Sequence, residues 1–231
     1  MEGLEALMSH VYVFSLVGIV LGAIMGGSAY ILSRIFPVAL TSVLVLAMIY
    51  KLCGINHLDG LADFGDGVVT HGSPDKKVAA MKDVSLGTGG AAFVVMILIS
   101  NYAIINSMPQ LLLPLTLMVA EVSAKQSMIA FAAFSKSLHK GFGSVMIDRT
   151  GNREFLIGLG ISIAAIYLAL GQLGLAMLAA SQLTALYLVV VAKRNFGGAT
   201  GDGIGATNEI CRAVALAAAL TLGGVLPWMR W

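Results

Sequence analysis

Charge is what this sequence has least of. Asp, Glu, Lys and Arg make up 11% of its 231 residues, against roughly 25% in a soluble domain. With 58% hydrophobic residues and a mean hydropathy of +0.90, that scarcity excludes an ordinary water-soluble fold. A net charge of +2 is too small to argue for a nucleic-acid partner. Cysteine is nearly absent. Cys53 and Cys211 stand far apart in apolar surroundings, which excludes a disulfide framework and a thiolate zinc site. The first ten residues, MEGLEALMSH, hold no Lys or Arg, and the apolar run after them has no clear cleavage site. They are expected to lead into a retained helix and not a signal peptide.

What the chain has instead is long apolar runs. They predict an all-α, polytopic membrane protein with spans at about 11–33, 36–54, 90–107, 109–134, 154–171, 174–193 and 208–229. In hydrocarbon the backbone must satisfy its own hydrogen bonds, so the runs are helices. Gly171 and Gly174 bracket a tight turn between the fifth and sixth. No room remains for a second domain, so residues 1–231 are expected to form one membrane domain.

The few basic residues are placed unevenly. Lys51, Lys76, Lys77, Lys82, Lys136, Lys140, Arg149, Arg153, Lys193 and Arg194 fall on one side of a seven-span topology; Arg34 and Arg230 fall on the other. Basic loops stay in the cytoplasm. The N-terminus and the acidic loops at about 55–89 and 194–207 are thus expected inside, on a cytoplasmic membrane.

Those two loops hold most of the candidate chemistry. In NHLDGLADFGDG, Asp59, Asp63 and Asp66 are spaced i, i+4, i+7 and share one face of a helix. Like charges at that spacing repel, so the face is expected to want a cation. Carboxylates without cysteine suit a hard divalent ion. His57, beside them, can serve as ligand or base. In MKDVSLGTGG, Lys82 and Asp83 precede Gly87, Thr88, Gly89 and Gly90. A glycine-rich helix start offers free N–H groups to anions. In GGATGDGIGATNEI, Asp202 is held between Gly201 and Gly203, and Thr207 or Asn208 is the expected N-cap of the last span. Asp202 can join the first cluster if the two loops meet. Glu121 and Lys125 lie mid-span at i, i+4 and are expected to form an ion pair facing the bundle interior. Arg212 is expected to snorkel. His10, His71 and His139 are expected in loops. Gly22, Ala23, Gly26 and Gly27 permit close helix packing within or between chains, so a homo-oligomer is open. A carboxylate cluster with glycine-rich loops suits metal-assisted phosphoryl chemistry. An ion-coupled transporter is the alternative of another class.

The motifs HLDGLADFGDG, MKDVSLGTGG and GATGDGIGATNE, in this order across about residues 13–225, resemble the cobalamin synthase family. That resemblance implies a transferase joining adenosylcobinamide-GDP to α-ribazole or its 5′-phosphate, with GMP released and Mg²⁺ required. It implies metal ligands at Asp59, Asp63, Asp66 and Asp202. It implies substrate contacts at Lys82, Asp83, Gly87, Thr88, Gly201, Asn208 and Glu209, and catalytic roles for Asp66 or His57 in proton transfer and for Lys82 on phosphate charge. One departure is visible: a commonly basic family position is Ser85 here, leaving Lys82 or Arg149 to substitute. A CDP-alcohol phosphotransferase is the nearest other enzyme, but Asp63 and Phe64 stand where its motif has Ala and Arg.

Overall fold

The structure, a computed structural model, describes residues 10–227. The expectations for MEGLEALMSH, apart from His10, and for Arg230 lie outside the described residues. The described chain is helical: α1 Val13–Ile35, α2 Val38–Cys53, α3 Asn56–Val69, α4 Pro74–Met81, α5 Thr88–Ser107, α6 Leu113–Ala133, α7 Phe142–Arg149, α8 Asn152–Phe196 and α9 Gly201–Leu222. The strand-like pairing among described residues is a single bridge, Ser137 with Ala199.

Helix α6 is the axis. Every residue from Val119 to Ala132 is buried, enclosed by α1, α8 and α9. A helix buried all round needs no amphipathic pattern. The approach of α1 is set by glycine. Gly18, Gly22 and Gly26 fall on one stripe and meet Val122, Met118 and Pro114 of the antiparallel α6. A β-carbon on Gly22 would lie 2.7 Å from the Met118 carbonyl oxygen. The small residues noted in the sequence are thus divided: Gly22 and Gly26 are spent within the chain, while Ala23 and Gly27 remain exposed. Gly22→Ala is expected to cost about 1–3 kcal/mol through overpacking. Gly27→Ala, with nothing within 4 Å of its added carbon, is expected to leave the melting temperature in detergent unchanged.

Helix α8 has 45 residues, about 68 Å if straight, twice the bilayer core. It is not straight. Gly171 adopts φ +54°. A β-carbon on Gly174 would lie 2.8 Å from the Ile166 carbonyl oxygen, a residue about 12 Å away along an unbroken helix. The chain therefore folds back on itself, as the bracketing glycines predict.

Helices α1, α5 and α8 are long and apolar enough to cross a membrane; α2 and α3, bent by 92°, form a broken pair that would make a further crossing or a re-entrant segment. Large apolar residues on the outer faces of these helices are exposed, among them Val20, Ile31, Met96, Ile99, Leu168 and Leu183. Such a belt marks a lipid-facing surface.

Two expectations need correction. The last helix begins at Gly201, not near residue 208. Its N-cap is Thr200, whose hydroxyl accepts from the Gly203 N–H at 3.2 Å. Glycine content suggested a loop there; packing of Gly203 on Phe131 and of Gly205 on the α3 backbone outweighs the helix cost of glycine. Arg212 does not snorkel. It is 1% exposed and ion-paired inside the bundle.

Candidate active site

The two acidic segments meet. Helices α3 and α9 cross with backbones nearly touching: a β-carbon on Gly60 would lie 3.0 Å from the Asp202 Cα, and one on Gly205 would lie 3.2 Å from the His57 Cα. Glycine at these positions is what lets the crossing close. It brings Asp59 and Asp202 into the lining of one open cavity of about 520 Å³. His57, Asn56, Gly201, Thr200, His139 and Ser144 line it too. Gly143, at the start of α7, touches the Gly201 backbone and roofs one side.

Asp63 lies one turn along α3 from Asp59. Its carboxyl is pushed up to about 6, first by burial, then by the charges of Asp202, Asp59 and Asp66. Asp202 is likewise raised, chiefly by burial. His57 is pulled down to about 3 by burial and by the charges of Lys125 and Arg212, so it is neutral at physiological pH. Its Nδ1 is buried and has no partner among the described residues. A base that weak is a poor proton sink but a usable hydrogen-bond partner.

Asp66 faces elsewhere. Its carboxylate accepts from Gly87 N at 2.9 Å and Gly90 N at 2.8 Å, closing the start of α5. The glycine-rich helix start does bind an anion, as its free N–H groups predict, and that anion is Asp66. Asp83 accepts from the Ser85 N–H at 2.9 Å, and that bond, with one from the Ser85 side chain, holds its carboxyl below the usual range. Lys82 and Thr88 are exposed beside it and do not line the cavity.

Asn208 and Glu209 are at most 1% exposed and belong to a buried ionic network. Glu121 accepts from Lys125 at 2.9 Å and from Arg212 Nε at 2.8 Å. Arg212 Nη1 donates to Glu209 at 2.7 Å. Lys125 donates to Asn208 Oδ1 at 2.8 Å, and Asn208 Nδ2 to Glu209 at 2.9 Å. The Cys53 thiol donates to Glu121 at 3.2 Å. Two positive and two negative side chains thus cancel. The Glu121–Lys125 pair faces inward as its spacing predicts, and both cysteines are free.

A family model for cobalamin-5-phosphate synthase matches residues 2–220. The chain belongs to the cobalamin-5-phosphate synthase family. Proteins named adenosylcobinamide-GDP ribazoletransferase are its similar relatives. That of Methanocella arvoryzae is 42% identical over 98% of this chain and 90% of its own. That of Methanococcoides burtonii is 39% identical over 94% and 83%. That of Methanosarcina mazei is 37% identical over 100% and 91%. No solved structure matches the chain. Membership makes this cobalamin synthase homologue a transferase of cobalamin biosynthesis and sets aside the transporter and the CDP-alcohol enzyme.

For this family member the sequence motifs missed part of the cavity. His139 and Ser144 come from the segment between α6 and α7 and the start of α7. The available signal was HKGFGS, a glycine-rich basic turn on the same topological side as the acids.

The donor set around the cavity fits a hard divalent cation. Its charged donors, Asp59 and Asp202, are carboxylates, and neighbouring Asp63 bears a repulsion that a cation relieves. Among the described residues no three His, Cys, Asp or Glu side chains converge on one metal position. Mg²⁺ does not need them to. It is commonly held by one or two carboxylates and completed by water and substrate phosphate.

Proposed function

We propose that the protein transfers the cobinamide phosphate of adenosylcobinamide-GDP to the ribose 3′-hydroxyl of α-ribazole or α-ribazole 5′-phosphate, releasing GMP. The observation that carries this is the α3–α9 crossing, which puts Asp59 and Asp202 on one cavity, in a chain whose relatives carry that name.

Asp59, Asp63 and Asp202 would hold Mg²⁺ together with the substrate diphosphate. When bound, Mg²⁺ supplies charge neutralisation on the phosphates and alignment for in-line attack. Asp66 positions the set: fixed by Gly87 and Gly90, it ties α3 to the start of α5. The attacking hydroxyl donates a hydrogen bond to the neutral His57, and a carboxylate of the set takes its proton. Thr200, Gly201 and Ser144 border the acceptor's path; Lys82 and Thr88 form the outer contacts for the larger donor. Asn208 and Glu209 support the site through Lys125 and Arg212 and do not touch substrate.

In this proposal α1, α2, α5, α6, the two halves of α8 and α9 each cross the bilayer. The Lys and Arg bias supports a single membrane domain with its cavity facing the cytoplasm.

Purified protein incubated with adenosylcobinamide-GDP, α-ribazole and Mg²⁺ is expected to release GMP and form adenosylcobalamin, and EDTA is expected to stop it. Substrate loss without GMP, or an unchanged rate in EDTA, would overturn the assignment or the metal requirement respectively.

A further inference from the structure

A second cavity lies on the opposite side of the segment that caps α9. It measures about 180 Å³, a third of the main one, and is lined by Phe134, Ser135, Lys136, Lys193, Gly198 and Ala199, with Val189 and Ala192 as apolar wall. Ala199 lines this cavity and Thr200, the next residue, lines the main one. The floor is fixed. Ala199 N donates to the Lys136 carbonyl at 2.8 Å and Leu138 N to the Ala199 carbonyl at 2.9 Å. Gly198 packs on that pairing, where a β-carbon would lie 2.9 Å from the Lys136 oxygen.

The polar groups here are unspent. Other lysines of this chain serve the fold: Lys77 donates to Asn195 at 2.8 Å and to the Val68 carbonyl at 3.1 Å, and Lys125 is paired in the core. The Lys136 and Lys193 side-chain amines make no hydrogen bond or ion pair among the described residues. The Ser135 hydroxyl is buried and likewise has no partner there. A buried orphan hydroxyl costs about 1–3 kcal/mol, a cost that an acceptor in the cavity removes.

We infer that this cavity is a phosphate subsite, in which Lys136, Lys193 and Ser135 hold a phosphate group against the apolar wall of Phe134, Val189 and Ala192. Two lysines and a serine lining one small space suit an oxyanion with several acceptor oxygens. The size admits a phosphate group and not a nucleoside or a corrin. The group has two sources: the 5′-phosphate of the acceptor, which rests on the function proposed above, or a phospholipid headgroup, which does not.

Lysine labelling read by mass spectrometry tests this on the full chain in phosphatidylcholine nanodiscs. Labelling of Lys136 and Lys193 is expected to fall about tenfold when the site is nine-tenths filled, with exposed Lys76 unchanged. Protection by α-ribazole 5′-phosphate but not by α-ribazole assigns the site to the acceptor. Protection on adding phosphatidylglycerol assigns it to lipid. Protection by neither overturns the inference. Because labelling needs no turnover, a protein that released no GMP would sink the transferase assignment and leave this test standing. In the acceptor case, K136Q/K193Q is expected to raise KM for the phosphorylated acceptor about tenfold and to leave that for α-ribazole unchanged, at an unchanged melting temperature.

Discussion

Asp63→Asn is expected to lower GMP release by about a hundred- to a thousandfold and, without divalent cation, to raise the melting temperature. The two effects have one cause. Asp63 sits among Asp59, Asp66 and Asp202, and its carboxyl is pushed up to about 6 from an ordinary value near 3.9. A carboxyl raised in the folded state binds its proton more tightly there than in the unfolded chain. Its contribution to stability is therefore full below about pH 4 and is lost as pH rises through about 6. At pH 8 the wild-type cation-free protein carries the whole repulsion and the asparagine variant does not, so the variant melts higher. Below pH 4 the advantage disappears. Mg²⁺ reverses the order, because it stabilises only the charged set. In the proposed function the same charge that destabilises the cation-free fold would hold the phosphate-bound cation, and losing such stabilisation costs about 3–4 kcal/mol of barrier. Full activity in a folded Asp63→Asn protein would remove Asp63 from the metal set. A variant less stable than wild type at pH 8 would mean that the fold stabilises the Asp63 carboxylate, against both its burial and its neighbouring charges.

Arg212→Met is expected to destabilise the protein by about 3–5 kcal/mol, and Arg212→Met/Glu209→Gln by much less. Arg212 is one of two cations in a fully buried set of four charges. Removing it strands Glu209 without a counter-ion in a dry interior, which is the expensive way to break a buried pair. Removing both partners leaves Glu121 with Lys125 at 2.9 Å, still neutral. Melting of the two single variants and the double variant gives the coupling directly. Additive losses would show that the network is hydrated and not dry. GMP release by the double variant decides a further point. If Glu209 acts only through Arg212, the refolded double variant keeps turnover; if Glu209 touches substrate, it does not.

Much of the fold is legible in this sequence because membrane helices are written in uninterrupted apolar runs. The reversal at Gly171 is equally plain: the chain is too long for one span, and glycine supplies the positive φ. The acid face of α3 follows from spacing alone. What spacing cannot carry is three-dimensional closure. Gly201, Gly203 and Gly205 look like loop residues locally, and they become helix because they let α9 press onto α3 and Phe131. Arg212 sits near a span end by counting, where snorkelling is the usual outcome, but Glu121 lies 91 positions away and pairs with it only after α6 and α9 pack. The same holds for Asp66, whose partners Gly87 and Gly90 lie in the next motif. Long-range partners decide each of these cases, and local pattern is silent about them.

The neutral quartet between α6 and α9 also bears on how the protein is made. A single charge at the centre of a helix in lipid costs about 2.5–3.5 kcal/mol during insertion. Helix α6 can soften this early, since Glu121 and Lys125 neutralise each other one turn apart on the same helix. Helix α9 has the same option, with Glu209 and Arg212 at i, i+3. Each helix therefore enters the bilayer already self-neutralised, although they are synthesised far apart. The bond from Arg212 to Glu121 can then form afterwards, between two segments that were each tolerable to lipid alone. Assembly of the α3–α9 crossing is in this sense deferred: Asp202 reaches Asp59 only once α9 is made, so a nascent chain that stops short of α9 lacks half of the crossing.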